Sequence, residues 1–154
     1  MKFLCDHMLG TLAKWLRFLG NDVAYPNAVD DNELIAVAGR EDRTLLTRDH
    51  QLSGRMAGSV FVASDDLDSQ LLQILRHFQL QAEISMTRCS VCNGPLRKIE
   101  KSEVRGKVPD GVWERHQEFW YCDACGRFYW QGSHWEGMNA WMRGIRERAA
   151  TPTA

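Results

Sequence analysis

Apolar and polar positions follow two alternating periods along the first half of this chain. KFLC (2–5) is a short apolar run of strand length. Leu9, Leu12, Leu16 and Leu19 then recur at spacings of three, four and three, which is one face of a helix, and Gly20 and Asn21 supply a stop. DVAY (22–25), RTLLT (43–47) and SVFVA (59–63) read as further strands. LIAVA (34–38), behind acidic cap residues, reads as a helix. Leu67, Leu71, Ile74, Leu75 and Phe78 mark another amphipathic helix, with Ser64 at its N-cap. Strands alternating with helices at this spacing predict an α/β fold, a parallel sheet flanked by helices.

The pattern changes near residue 80, which divides the chain into an α/β domain over 1–82 and a smaller module with a closing helix over 83–150. RCSVCNGPL (88–96) and YCDACGRFYW (121–130) carry two CxxC pairs. Met138, Trp141, Met142 and Ile145 mark the closing helix, with Arg143, Arg146 and Arg148 along its exposed side, and the terminal TPTA reads as frayed.

Cys89, Cys92, Cys122 and Cys125 are the strongest chemical signal. Two residues between cysteines let both sulfurs reach one ion across a tight turn, and Gly94 and Gly126 offer the backbone angles such turns need. Four thiolates make a closed tetrahedral shell of the kind that holds structural zinc. The segment between the pairs, KIEKSEVRGKVPDGVWERHQEFW, reads as a β-excursion joining two knuckles of a zinc ribbon. A redox CxxC would call for one pair ahead of a helix instead. Trp120, Tyr129, Trp130 and Trp135 either pack this small module or stack on single-stranded nucleic acid.

Composition adds less. An apolar fraction of 44% and a charged fraction of 25% are those of a soluble globular protein. No apolar run approaches the roughly 20 residues of a membrane helix, and no secretory signal pattern opens the chain. A cytoplasmic location follows, where paired cysteines mean metal more often than disulfide. Net charge is −1, but residues 1–87 carry 8 Lys+Arg against 12 Asp+Glu and the remainder carries 11 against 8. An acidic first part and a basic second part fit catalysis in one and nucleic-acid contact in the other.

Asp6 ends the first strand, Asp49 lies just past the third, and Asp30 and Asp31 open a helix. Ligands of open parallel sheets bind outside the carboxyl ends of the strands, so three segments deliver acids to that edge. Like charges gathered there call for a cation, and oxygen donors suit Mg²⁺ or Mn²⁺. Each acid also has a structural reading. Asp30 with Glu33 resembles a capping box, and Asp65, Asp66 and Asp68 sit where first-turn acids favour a helix dipole. His7 and His50, each beside an acid, read as solvent-facing. Lys14 and Arg17 either contact phosphates or form a solvated helix face. Cys5, in an apolar strand, reads as a core thiol.

The runs CDHMLGTLAKWLRFLG, DDNELIAVA and RTLLTRDHQL, followed by the cysteine pairs with YWQGSHW, resemble the PIN-like Mut-seven C-terminal ribonuclease domain with its fused zinc ribbon. The likeness spans residues 2 to about 146. It implies a PIN-like sheet and a metal-dependent ribonuclease acting on RNA, with Asp6, Asp31 and Asp49 as catalytic Mg²⁺ or Mn²⁺ ligands. Asp30, Glu33 and Asp65 are additional candidate acids, and Lys14, Arg17 and Arg48 are candidate phosphate contacts. At the first motif this chain departs from the family's frequent Asp-Glu-Met, because His7 follows Asp6. A non-catalytic RNA- or protein-binding module stands as the alternative. A receiver-like phosphoacceptor fits less well, since no Lys follows the late strand in SVFVASDD.

Overall fold

The computed structural model describes residues 1–151, so the frayed end expected of TPTA falls mostly outside the described residues. β1 (Lys2–Cys5), β2 (Asp22–Ala24), β3 (Thr44–Thr47) and β4 (Val60–Phe61) form one parallel sheet in the order β2-β1-β3-β4. A 3₁₀ turn (His7–Leu9) runs from β1 into α1 (Gly10–Phe18). α2 (Asp31–Glu41) and α3 (His50–Arg55) make the next two connections, and α4 (Leu67–Phe78) follows β4.

The sheet is covered on both faces, which is why its strands read as nearly unbroken apolar runs. Alternate side chains of a strand point to opposite faces. Phe3 and Cys5 therefore pack with Leu12 and Leu16 of α1 and Leu71 and Ile74 of α4, whereas Leu4 packs with Leu34 of α2 and Leu52 of α3. Cys5 is a fully buried core thiol, and burial, then the neighbouring Asp6, push its pKa up. α3 has one buried residue, Leu52, and so left no apolar period to read. The N-cap of α4 is Asp66 rather than Ser64, whose hydroxyl accepts instead from the Asp66 amide at 3.0 Å. Asp66 wins because its longer side chain reaches both the amide and the hydroxyl of Ser69.

β5 (Leu96–Ile99), β6 (Phe119–Cys122) and β7 (Phe128–Tyr129) form a second, antiparallel sheet. The expected β-excursion between the cysteine pairs leaves and returns as the paired strands β5 and β6, with two short helices in between. α5 (Lys101–Val104) is started by a Glu100–Glu103 capping box and α6 (Asp110–Arg115) follows Pro109. These helices add Val104, Val112 and Trp113 to Ile99 and Phe119, giving a three-stranded sheet the core it lacks alone. α7 (Ser133–Ala150) then returns to the first sheet. Its Met142 and Ile145 are buried in the same cluster as Phe3, Trp141 meets Trp15 at 4.4 Å, and Arg76 of α4 donates to the Thr151 carbonyl at 3.1 Å. Arg143, Arg146 and Arg148 are exposed, as the pattern predicts.

The two sheets meet at the free edge of β2. Arg17 is 7% exposed and lies on neither a solvated face nor a phosphate-binding one. Its Nε and one amino group donate to the Val23 carbonyl at 2.9 and 2.8 Å, and the other donates to the carbonyls of Val91 at 2.9 Å and Ser90 at 3.2 Å. Asn93 of the first knuckle accepts from the Val23 amide at 2.9 Å, so the knuckle covers this sheet edge. Asp22 accepts from Asn93 at 2.7 Å and from Arg43 at 2.8 Å. Desolvation opposes its ionisation, but these donors hold its carboxyl below the usual range.

Arg17→Met keeps the volume of the stem and leaves three carbonyls without their donor. We expect a loss of about 3 kcal/mol in unfolding free energy, read by thermal melting. Hydrogen exchange should speed most at Val23 and in the knuckle, and wild-type stability would refute the role given to Arg17.

Candidate functional site

Strand order reverses between β1 and β3, since the chain leaves β1 outward to β2 and β3 outward to β4. Such a switch point opens a crevice beyond the carboxyl ends of the strands. Asp6 directly follows β1 and Asp49 lies two residues past β3, so these acids straddle it.

Asp6 is 2% exposed. Its Oδ1 accepts from the Met8 amide at 2.9 Å; its Oδ2 accepts from the Arg48 amide at 2.9 Å and from the Thr47 hydroxyl. Thr47 Oγ1 in turn accepts from the Asp49 amide at 2.9 Å. A wholly buried threonine at the end of β3 thereby links the two acids. Asp49 is exposed and caps α3 through Oδ1, which accepts from the amides of Gln51 and Leu52 at 2.7 and 3.0 Å. Its Oδ2 makes no hydrogen bond to the described residues. A carboxylate offers about four lone-pair sites, so Asp6 keeps one on Oδ1 and Asp49 keeps both on Oδ2.

The other candidate residues are distributed as follows around this edge. Asp30 caps α2, accepting from the Glu33 amide at 2.9 Å, but Glu33 does not complete a capping box and lies 3.9 Å from Arg40. Asp31 is exposed, with Arg55 at 3.4 Å. Asp65 is exposed beyond β4, beside the cap Asp66. Lys14 is exposed on α1, its ammonium over the Phe18 ring at 5.9 Å. The Nε of Arg48 is buried and has no partner among the described residues. His7 and His50 are exposed, and His50 packs edge-on against Phe61 at 5.3 Å. The donors at this edge are all carboxylate oxygens, the set that suits Mg²⁺ or Mn²⁺. The acids do not close into a tight shell. Among the described residues only the cysteines bring three or more ligand atoms within 4.8 Å of one another. Magnesium binding tolerates this, because the ion keeps several waters and needs one or two carboxylates besides substrate phosphate.

The four cysteines form a cluster that could hold a zinc ion. Cys89 and Cys125 sulfurs are 3.6 Å apart and those of Cys92 and Cys122 are 3.4 Å apart. The edge of a tetrahedron with zinc–sulfur bonds of about 2.3 Å is about 3.8 Å, so these separations fit the ion. Cys89 and Cys122 are buried, while Cys92 and Cys125 are exposed. The second knuckle turns at Gly126, φ +73°, as anticipated; in the first the left-handed residue is Asn93, φ +68°. Gly94 is needed there for closeness, because a Cβ would stand 3.1 Å from the Cys122 sulfur and 3.3 Å from that of Cys92. Burial resists ionisation of Cys89, but the Tyr129 hydroxyl at 2.9 Å and nearby amides outweigh it and bring the thiol down to about 6.

Thr47 and Asn93 escaped notice in the sequence as site residues, and Tyr129, read there as a packing or base-stacking aromatic, gave no sign of its contact with Cys89. Thr47 had a readable signal, a polar residue ending an apolar strand beside an acid. Asn93 and Tyr129 act through partners distant in the chain, which spacing does not reveal.

A parallel α/β sheet with acids at its switch point, its edge strand covered by a four-cysteine module, defines the class of protein. The chain belongs to the Mut7-C RNAse domain family, whose model matches residues 1–142 and so includes both sheets and every cysteine. No curated protein and no solved structure matches it.

Tyr129→Phe removes the hydroxyl that supports the Cys89 thiolate while leaving all four ligands. Zinc affinity, measured by competition with a chromogenic chelator, should fall about 10- to 100-fold, and unchanged affinity would contradict that role.

Proposed function

We propose that this protein cleaves phosphodiester bonds of single-stranded RNA at a Mg²⁺ or Mn²⁺ site held by Asp6 and Asp49, with Asp31 as the third acid. The observation that carries the reading is Asp6, a nearly buried carboxylate ending an inner strand at the switch point and linked through Thr47 to Asp49. Membership of an RNase domain family supports RNA as the substrate. Asp30, Glu33 and Asp65 stand as further candidate acids of the same site.

The bound ion supplies charge stabilisation at phosphorus and an acidified water. The chain's own residues fix the geometry. Thr47 and the Arg48 amide hold Oδ2 of Asp6, the capped start of α3 orients Asp49, and Lys14 and Arg48 offer positive charge to RNA phosphates. Arg17 is assigned to the joint instead, because its donors already meet carbonyls. The cysteine module holds structural zinc and takes no part in the chemistry.

One observation favours the second reading, a non-catalytic RNA- or protein-binding module. Asp6, Asp30 and Asp49 each accept backbone amides at a helical start and so have a structural use without any ion.

Asp6→Asn/Asp49→Asn separates the two. Asp49→Asn keeps its capping oxygen, whereas Asp6→Asn gives up its acceptor for either the Met8 or the Arg48 amide, so the double variant should still melt cooperatively but below the wild-type temperature. Mn²⁺-dependent cleavage of labelled single-stranded RNA should fall below detection. Undiminished cleavage by the pure double variant would sink the proposal, and wild-type binding without turnover would establish the second reading.

A further inference from the structure

Cations of the cysteine module are unevenly partnered. Arg97 and Lys98 pair with Asp123 and Glu118. Lys101, Arg105, Lys107 and Arg127 have no carboxylate partner among the described residues, although three of them lie over aromatic rings. Lys101 and Arg105 stand 4.7 and 5.3 Å from Trp113, and Lys107 stands 6.0 Å from Phe128.

Residues 128–130 form a ridge between two hollows. One, of about 370 Å³, has Lys107 and Arg127 in its wall. The other, of about 420 Å³, is mostly apolar and is walled by Phe18 of α1, Met86, and Trp135 and Met138 of α7. None of these four side chains belongs to the three hydrophobic clusters of the protein, although Phe18 meets the core-packed Trp15 edge-on at 5.4 Å. No carboxylate lines either hollow.

We propose that ridge and hollows form one subsite for single-stranded RNA, with a base stacked among Phe18, Trp135 and Trp130 and the adjoining backbone phosphates against Lys107 and Arg127. Aromatic walls take the face of any base, and unpaired cations neutralise phosphates, which together define sequence-tolerant single-strand binding. A duplex hides its base faces and fits the apolar hollow poorly. Both hollows fall within the roughly 300–1,000 Å³ of ligand sites. This assignment rests on RNA being the substrate, as proposed above. α1 sets the spacing, since its start lies beside Asp6 and Phe18 ends it, nine residues and about 13 Å on. The subsite thus grips RNA away from the scissile bond and acts on KM rather than kcat.

The test is fluorescence anisotropy with a labelled, mixed-sequence single strand, in the zinc-loaded Asp6→Asn/Asp49→Asn protein so that the RNA stays intact. Adding Lys107→Ala/Arg127→Ala, both at exposed positions, should weaken binding about 10-fold at low salt. It should also reduce the slope of log K against log salt by about 1.4, at about 0.7 per phosphate on a single strand. Trp135→Ala, with its melting temperature as a check on folding, should weaken binding about 5- to 100-fold. A duplex of the same sequence should bind less tightly than the single strand. Parental affinity and slope in the Lys107→Ala/Arg127→Ala variant overturn the subsite while leaving the ribonuclease reading intact. A parent that binds no single strand overturns the subsite together with its premise.

Discussion

Arg17 fixes the relation between the two halves of this protein. A buried guanidinium is costly unless its donors meet acceptors of matching geometry, and here three backbone carbonyls supply them. Two of those carbonyls belong to the first knuckle and one to the edge strand β2, so the register of α1, the edge of the sheet and the knuckle are set together. Burial pushes the guanidinium's pKa down, and the thiols Cys5, Cys89 and Cys92 together with Asp22 push the other way. Four thiolates around one zinc would carry a net charge of −2 and so set a compensating anion near the buried cation. A zinc ion held by these thiols would therefore couple metal loading to docking of the module on the sheet through a single side chain.

One short helix carries that constraint to the acidic edge. α1 begins beside Asp6, where β1 ends at the switch point, and finishes with Arg17 and Phe18 against the cysteine module. Leu12, Ala13 and Leu16 bury its inner face against the sheet, so it cannot slide without breaking the main core. α7 closes the arrangement from the other side, with Met142 and Ile145 in that same core and Trp135 and Met138 over the module. The module is thus a fixed wall of the protein rather than a tethered appendage.

The parallel sheet was legible because strands buried on both faces have continuous apolar centres, as Phe3-Leu4-Cys5 and Leu45-Leu46 do. The cysteine cluster was legible because its chemistry is local, two residues between each pair of ligands. What escaped the sequence depends on partners far apart in the chain. α5 and α6 interrupt the expected β-excursion between β5 and β6 because a three-stranded sheet needs Val104 and Trp113 to build a core, a tertiary demand no local pattern shows. Arg17 sits at a helical position that looks solvated until the knuckle, more than seventy residues on, covers it. At the acidic edge the positions of Asp6 and Asp49 were readable, but their connection was not. Thr47 links them only because β1 and β3 pair with Cys5 opposite Leu46.

The structural use of the acids is compatible with the function proposed for them. An ionised carboxylate held at a nearly buried position without a counterion is unfavourable, and its usual escape is to take up a proton. Amide donors from Met8 and Arg48 and the Thr47 hydroxyl give the Asp6 carboxylate compensation that does not depend on a cation. Asp49 receives the same from the first turn of α3, through one oxygen only. Capping therefore orients each group and leaves lone pairs, one on Asp6 and a whole oxygen on Asp49, for a further ligand. An edge built this way has no need to collapse around an ion to exist, and the divalent cation proposed for it would meet carboxylates already fixed in direction.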